Sequence, residues 1–329
     1  MSDFATGSSR QNALRAIGTL LSLALLIYLL SQQGWDEIAA AFQQIAGWRL
    51  ALAFGLMLVS RLAVAGRWHV LLRSGGVKIP FLHSLKITLA GLFATNFLPT
   101  TIGGDVVRLA GAIRYHYDAA ICTAALIVDR LVGMTGMVMA APFSLPALLQ
   151  PHPVQPAVLL SSISISSGKW WQKLWRKGQQ LIQRMLQTLS LWFHRPYDLL
   201  LSLGFSWAHM LCVFAILQLF LTGLGERLSF WLIAGLYSLV YFVTLIPFSI
   251  NGYGLQEISM TLVFSTLGGA SRSSGLTVAL LYRTLMMVAS LPGVLFLPGM
   301  LSAAKKSAAG SGHDDPQLLQ GATNQDDLQ

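Results

Sequence analysis

The stretch 96–108 reads Asn-Phe-Leu-Pro-Thr-Thr-Ile-Gly-Gly-Asp-Val-Val-Arg, and the stretch 246–257 reads Ile-Pro-Phe-Ser-Ile-Asn-Gly-Tyr-Gly-Leu-Gln-Glu. Each follows a long apolar run and combines a proline, two glycines and an acidic residue. Proline and glycine interrupt helices and free backbone groups, which hydrocarbon cannot satisfy unless they line a cavity or are buried in protein. The two stretches therefore predict broken helices at membrane depth.

The rest of the sequence has the composition of a polytopic membrane protein. Of its 329 residues, 54% are hydrophobic and 11% are charged, whereas soluble domains carry about 25% charged residues. This excludes most soluble enzymes and predicts an all-α bundle of about eight transmembrane helices, with two broken or re-entrant segments and an inverted repeat as one arrangement. The predicted spans are 16–31, 50–72, 81–98, 119–149 (interrupted near its end by Pro142 and Pro146), 199–224, 230–248, 252–267 and 276–299.

The distribution of lysine and arginine predicts the orientation of these spans. With the N-terminus inside, twelve basic residues fall in cytoplasmic segments and four in outer loops, namely Arg49, Arg114, Arg227 and Arg272. Because basic loops stay inside, we predict a multi-pass protein of the cytoplasmic membrane with both termini in the cytoplasm. Its parts are a cytoplasmic N-terminus (1–15), a transmembrane domain (16–300) and a disordered cytoplasmic tail (301–329).

The segment 168–196 is the main cytoplasmic element on this topology. On a helix, Trp171 and Trp175 share one face with aliphatic residues, whereas Lys169, Lys173 and Arg176 lie opposite. Such a helix fits the headgroup layer of an anionic leaflet. A helix that packs against the bundle is the alternative.

Nine ionisable residues fall within or at the ends of the predicted spans. A central charge costs about 2.5–3.5 kcal/mol on insertion scales, so each group must pair, face a cavity or reach an interface. Arg67 and Lys86, near predicted cytoplasmic ends, are expected to reach the interface, and Asp129 could pair with Arg130, Arg61 or Arg283. Six of the nine are cations and three are anions, and this excess of positive charge favours an anionic ligand such as phosphate. The nine are Arg61, Arg67, Lys86, Arg108, Arg130, Arg283, Asp105, Asp129 and Glu257.

The two broken stretches fall on opposite sides of the predicted bundle, as in inverted repeats whose broken helices meet at a central site. We predict a substrate site between them, with helix-start N–H groups near Asp105 and Gly254 facing an anion. Two ordinary turns between helices are the alternative. The broken-helix residues are Pro99, Gly103, Gly104, Pro247, Gly252 and Gly254.

The order and spacing of four motifs resemble the lysylphosphatidylglycerol synthase transmembrane-region family, also called the flippase-like domain family. The motifs are Asn96…Leu98-Pro99…Gly103-Gly104-Asp105…Arg108, Asp129-Arg130…Gly133, Ile246-Pro247…Asn251-Gly252-Tyr253-Gly254…Glu257, and Arg283. The resemblance covers about 16–299 and makes Asp105, Arg108, Asp129, Arg130, Glu257 and Arg283 candidate functional residues. Asn96, Asn251, Tyr253 and Arg61 complete the predicted substrate-binding set.

The resemblance also implies that the protein acts on a membrane lipid. In the family's best-known members this region is implicated in moving aminoacylated phosphatidylglycerol between leaflets, and a separate soluble domain makes that lipid from aminoacyl-tRNA. Only about 30 polar residues follow Gly299, so a lysyltransferase activity is not expected here. The resemblance implies a lipid translocase, with polyprenyl-linked sugars, cardiolipin-type lipids and hopanoid-type lipids all open as substrates.

Two other functions stay open. One is a membrane-embedded transferase whose carboxylates and arginines serve acid–base chemistry; the other is an accessory subunit of an envelope-lipid enzyme. The sequence has no P-loop pattern and no cluster of metal ligands, so no cofactor or metal is expected. The expected partners are anionic membrane lipids and an envelope-lipid biosynthetic enzyme, with no nucleic acid, while the oligomeric state stays open.

Overall fold

The computed structural model describes residues 42–97, 103–149, 195–245, 255–298 and 300. These residues form helices and no strands, which confirms the predicted all-α class. The main helices are α1 (Gly47–Ser74), α2 (Phe81–Phe97), α3 (Gly103–Arg114), α4 (Ala119–Ala140), α5 (Pro196–Gly223), α6 (Phe230–Thr244), α7 (Leu255–Thr266) and α8 (Arg272–Ser290).

Four helices in the described residues are long and apolar enough to span a membrane: Gly47–Ser74, Ala119–Leu148, Pro196–Gly223 and Arg272–Leu295. α6 is a shorter apolar helix. Several predictions lie outside the described residues, including the first span (16–31), nearly all of the interfacial helix with its residues from Lys169 to Arg176, and the tail. The same holds for the centres of both broken stretches, with Pro99, Pro247, Asn251, Gly252, Tyr253 and Gly254.

Helices α1 and α5 form the longest antiparallel contact of the bundle. Arg49, near the start of α1, donates from Nη1 to the carbonyl of Leu219 at 3.1 Å and to Oγ1 of Thr222 at 2.8 Å. At the other end, Gly66 lets the ring of Phe205 approach α1 closely. The bundle thus has a Gly47 end, where α1 begins and α5 ends, and a Ser74 end, where α1 ends and α5 begins.

Helices α2 and α3 form a first hairpin that enters from the Ser74 end and returns to it. Near its open end, Nδ1 of His83 lies 2.9 Å from the hydroxyl of Tyr117. Near its tip the two backbones are in close contact. A Cβ added to Gly104 would lie only 2.7 Å from the carbonyl oxygen of Gly91. Gly103 and Gly104 thus belong to the first turn of α3, and Gly104 is needed for close packing.

This hairpin corrects the predicted topology. The sequence placed Arg114 in an outer loop, across the membrane from the start of α2. In the structure α3 carries the chain back, so Arg114 lies at the Ser74 end. The sequence predicted a helix start near Asp105 but no separate twelve-residue helix, because α3 lacks the long apolar run of a span.

Helix α4 then crosses from the Ser74 end to the Gly47 end, opposite to its predicted direction. Ile121, in its first turn, packs against Gly75, which follows α1. As Pro142 and Pro146 predicted, the α-helix ends at Ala140, and a 3₁₀ turn (Ala141–Ser144) and a short helix (Leu145–Leu148) follow.

The ring of Phe143, 4.8 Å from that of Trp231, places this continuation of α4 at the Gly47 end, where α6 begins. The chain therefore leaves the described part of the bundle at the Gly47 end after α4. It resumes at the Ser74 end with Arg195, just before α5. The sequence had placed the flanks of 150–194 on one side of the membrane, and this prediction is wrong.

Helices α6 and α7 form a second hairpin, which enters from the Gly47 end. Gly268, just after α7, lies against Leu228 and Leu236 at the start of the hairpin. Helix α8 packs on α7, with Gly275 against Thr261, and its 3₁₀ continuation (Leu291–Leu295) packs on α2. The two hairpins thus enter from opposite ends, each followed by one long helix, which is the order of an inverted repeat.

Candidate functional site

The described flanks of both hairpin tips contact neighbouring turns of α8. Asn96, one residue before the end of α2, donates from Nδ2 to Oγ of Ser290 at 2.9 Å. Arg283 forms an ion pair with Glu257 in the first turn of α7. Seven residues of helix span about 10 Å, so the contacts of both tips with α8 lie within about two turns of one another.

A carboxylate shared by two arginines lies beside the first tip. Asp129 of α4 accepts from Nε of Arg67 at 2.7 Å on one oxygen and from Nη1 of Arg108 at 3.0 Å on the other. Its side chain is 3% exposed. Such charge-assisted hydrogen bonds are strong inside a protein, where an unpaired carboxylate would be costly.

Asp105 extends this cluster toward the surface. It lies 3.7 Å from Nη1 of Arg108, one turn along α3, and accepts from Nε of Arg130 at 2.6 Å. Asp105 is in the first turn of α3, where the helix dipole favours a negative charge. Arg130 is the outermost member, with about half of its side chain exposed. We name Arg67, Asp105, Arg108, Asp129 and Arg130 the arginine–aspartate network.

The network carries one excess positive charge, since three arginines face two aspartates. Arg108 is 8% exposed, and its guanidinium lies 4.5 Å from the ring centroid of Trp68. Its Nε and Nη2 have no hydrogen-bond partner among the described residues. Arg108 therefore has donors left for an anion after its contacts with both aspartates.

The second hairpin repeats part of this pattern. In each hairpin the returning helix carries an acidic residue in its first turn, and that residue pairs with an arginine of the following helix. Asp105 pairs with Arg130, 25 residues later, and Glu257 pairs with Arg283, 26 residues later. Arg283 also donates to Oε1 of Gln256 at 3.2 Å. The correspondence supports the inverted relationship of the two hairpins.

Arg61 lies apart from both groups, halfway along α1 and 7% exposed. Its Nε has no hydrogen-bond partner, and no carboxylate within ion-pair distance is found, in the part of the chain that the structure describes. The hydroxyls of Tyr237 and Tyr282, 3.0 Å from each other, interact electrostatically with its guanidinium. Next to it, Oγ of Ser60 lies 2.6 Å from Nδ1 of His209.

The structure brings together four of the predicted site residues in one network, namely Asp105, Arg108, Asp129 and Arg130. Glu257 and Arg283 form a separate pair. None of the three partners considered for Asp129 is correct, because Arg130 turns to Asp105, Arg283 to Glu257, and Arg61 lies elsewhere. The pairing required α3 to fold back beside α4, which the predicted topology lacked.

The prediction that the Arg67 side chain reaches the membrane interface is also wrong. It faces inward, donating to Asp129 and to Oγ of Ser206 at 3.2 Å. A signal was present: Arg67 and Ser60 are seven residues apart and share a face of a helix, and both contact α5. Sequence reasoning also missed Trp68, His209, Tyr237 and Tyr282, whose types are common in apolar helices.

The polar side chains of the described residues are better suited to binding anions than metal ions. No group of three or more His, Cys, Asp or Glu side chains among them could hold a metal ion. The buried Arg61 and Arg108 and the partly buried Arg67 instead present hydrogen-bond donors suited to phosphate or carboxylate oxygens.

Comparison with known proteins is consistent with this helical membrane fold. A UPF0104 membrane protein of Archaeoglobus fulgidus is 24% identical to the chain over 286 residues, which cover 76% of this chain and 86% of that protein. The family model described as "Lysylphosphatidylglycerol synthase TM region" matches residues 15–293. Because that match includes both hairpins and the helix after each of them, the chain belongs to the lysylphosphatidylglycerol synthase transmembrane-region family.

Proposed function

We propose that this protein moves a phosphate-bearing envelope lipid between the leaflets of the cytoplasmic membrane. The observation that carries the proposal is the buried excess of positive charge beside the first hairpin tip. A lipid headgroup needs a polar passage while its chains stay in hydrocarbon, and buried charges in a membrane domain commonly mark such a passage. The family membership supports a function in lipid chemistry.

Arg108 is the residue that we expect to meet the phosphate first. It lies on the returning helix of a hairpin, and its Nε and Nη2 are free of partners among the described residues. A phosphate that approaches these two donors would compete with Asp129 for the guanidinium. Because Asp129 keeps its bond to Arg67, it would not be left as an unpaired buried charge when Arg108 turns to the lipid.

We further propose that the Ser74 end faces the cytoplasm. Arg73, Lys78, Arg114 and Arg195 lie at this end, and Arg49, Arg227 and Arg272 at the other. The excess is small, but its sign agrees with the retention of basic loops inside the cell. On this orientation the first hairpin opens to the cytoplasm and the second to the outer surface. An envelope-lipid enzyme would supply the lipid or use it.

Proteoliposomes that contain only this protein test the proposal. Fluorescent phosphatidylglycerol is placed in both leaflets, and a membrane-impermeant reductant is added outside to bleach exposed dye. In protein-free vesicles only the outer-leaflet fraction is bleached. Transport by the protein would bleach nearly all of the dye. A cardiolipin analogue and a polyprenyl phosphate analogue, tested in the same way, compare the substrate classes.

The matched variants are Arg108→Gln and Arg114→Gln, which remove one arginine each from the same helix. Arg108 is buried in the network, whereas Arg114 is exposed at the end of α3. We expect Arg108→Gln to slow bleaching of the inner leaflet and Arg114→Gln to leave it unchanged. If folded wild-type protein bleaches only the outer leaflet for every lipid, with and without a proton gradient, the proposed function is wrong.

A further inference from the structure

The charge on Arg61 is not accounted for by the network described above. Arg61 lies at the midpoint of α1, which is the depth where an ionised side chain is least stable in a bilayer. More than nine-tenths of it is buried, and no described carboxylate pairs with it. A buried charge without a counter-ion lowers stability, so an anion from outside the described residues would stabilise the protein at this position.

The described groups that act most strongly on Arg61 are neutral hydroxyls and not anions. The hydroxyls of Tyr237 and Tyr282 are 3.0 Å apart, so one donates to the other and the second keeps a hydrogen that no described residue accepts. These tyrosines come from α6 and α8, which belong to the second hairpin and the helix that follows it. A guanidinium within electrostatic range of a spare hydroxyl donor is suited to an oxyanion.

The position of Arg61 on α1 is close to that of the arginine–aspartate network. Arg61 and Trp68 are seven residues apart, so they share one face of α1 and lie about two turns, or about 10 Å, from each other. Arg108 lies over the ring of Trp68. Moving from Arg108 to Arg61 is therefore a move along one face of α1, from the first hairpin toward the second and toward the Gly47 end.

We propose that Arg61, with the Tyr237–Tyr282 hydroxyl pair, is a second binding station for the phosphate of the lipid headgroup. This inference rests on the proposed function and adds a path to it. The phosphate binds at Arg108 beside the first hairpin and at Arg61 beside the second, and it passes between them along α1. His209, whose Nδ1 lies 2.6 Å from Oγ of Ser60 next to Arg61, interacts electrostatically with Arg61, Arg67 and Asp129.

The station also limits the chemistry of the ligand. With a cation, two hydroxyls and no described carboxylate nearby, it favours a group with net negative charge and offers nothing to an ammonium group. We therefore expect phosphatidylglycerol to bind better than phosphatidylcholine, because both carry the phosphate and only phosphatidylcholine carries a cation. Free phosphate shares the chemistry of the site, so it serves as a separate probe.

The test measures thermal unfolding of the full chain in detergent with short-chain probes. Wild type, Arg61→Met and Arg49→Met are compared with dihexanoyl phosphatidylglycerol, dihexanoyl phosphatidylcholine, inorganic phosphate and no addition. Arg49→Met is the matched control, since it makes the same substitution in the same helix at the Gly47 end. Without lipid, Arg61→Met should unfold at the same or a higher temperature than wild type, because it removes a buried unpaired charge.

With dihexanoyl phosphatidylglycerol, wild type and Arg49→Met should be stabilised. The affinity inferred for Arg61→Met should be lower by about ten- to hundredfold, which is the worth of a hydrogen bond to a charged group. A lower unfolding temperature with unchanged affinity would mean that Arg61 is structural and would overturn the station. Equal protection by inorganic phosphate at equal concentration would overturn its assignment to a lipid.

Arg61→Lys keeps the inference testable if Arg61→Met does not fold. Lysine retains the charge without the planar fork of arginine, so affinity should fall while the unfolding temperature stays near that of wild type; unchanged affinity counts against the station. The vesicle assay separates the two proposals. Arg61-dependent binding without transport by wild type overturns translocation alone, whereas normal transport by Arg61→Met overturns the station alone.

Discussion

Arg108, on the returning helix of the first hairpin, donates to Asp129 of the following helix at 3.0 Å. This bond fastens a helix of twelve residues, too short to span a membrane, to one that is long and apolar enough to do so. Because Asp129 also accepts from Arg67, three helices meet at one carboxylate. The stability of the fold and the proposed passage of a headgroup therefore depend on the same atoms.

Replacing Asp129 with Asn should strongly destabilise the protein. Arg67 and Arg108 would both lose their buried counter-ion, and breaking a buried ion pair by removal of one partner costs about 3–5 kcal/mol. The measurement is unfolding in mixed micelles with a denaturing detergent. Asp118→Asn is the control, because Asp118 is exposed, caps the same helix, and asparagine caps equally well. Equal losses in the two variants would contradict the central role of Asp129.

Arg130→Ala should cost much less, although it also breaks an ion pair of the network. About half of the Arg130 side chain is exposed. In the proposed polar passage that half faces water, and pairs exposed to water contribute about 0–1 kcal/mol because water and salt screen them. Asp105 keeps its contact with Arg108 in this variant. The same unfolding titration measures the change. A loss as large as that of Asp129→Asn would show that Arg130 is buried in the folded protein.

Gly104→Ala should separate the two helices of the first hairpin. Its Cβ would meet the carbonyl oxygen of Gly91 at 2.7 Å, a backbone contact that cannot rotate away, and overpacking of this kind costs about 1–3 kcal/mol. Gly55→Ala is the matched control, since its Cβ would meet nothing within 4 Å and alanine is the better helix former. Unfolding of both variants tests the contact. A Gly104→Ala protein as stable as Gly55→Ala would rule out the close packing.

Protonation of Glu226 should make the protein less stable in acid. The backbone N–H of Ser271 donates to its carboxylate at 2.9 Å, and this hydrogen bond lowers the pKa of Glu226 below its ordinary value. A lowered folded-state pKa gives stability that is full above the unfolded-state pKa and is lost as pH falls through the folded-state pKa. Unfolding temperatures of wild type and Glu226→Gln should thus differ near neutral pH and converge in acid. A difference independent of pH would exclude the carboxylate.

Positions 78 and 114 should be accessible from the same side of the membrane. Both lie at the Ser74 end, whereas positions 227 and 272 lie at the Gly47 end. Single cysteines at these four positions, in a chain with Cys122 and Cys212 replaced by alanine, can be labelled in sealed vesicles with an impermeant maleimide. We expect 78 and 114 to react together and 227 and 272 to react together from the opposite side. Labelling of 114 with 227 would restore the topology predicted from sequence.

The sequence by itself determined the all-helical class of the protein, its four long apolar helices, and most of the charged residues that pair inside the described bundle. Apolar runs, the Pro and Gly residues of the two broken stretches, and the high cost of charge in hydrocarbon are local properties, readable without a fold. They were enough to predict an all-helical bundle, the ends of α2 and α6 within a few residues, and the need for Asp105, Arg108, Asp129, Glu257 and Arg283 to find partners inside the bundle.

Only the tertiary structure decided which charges meet. A re-entrant helix such as α3 has no long apolar run of its own, so its return to the Ser74 end is visible only in its packing, as where Gly104 lies against Gly91. That return reverses the direction of α4 and brings Arg108 to Asp129. The partners of a buried carboxylate are chosen by distance between helices that are far apart in sequence. The pairing of Arg67 with Asp129, and the lack of a described counter-ion for Arg61, therefore became visible only in the tertiary structure.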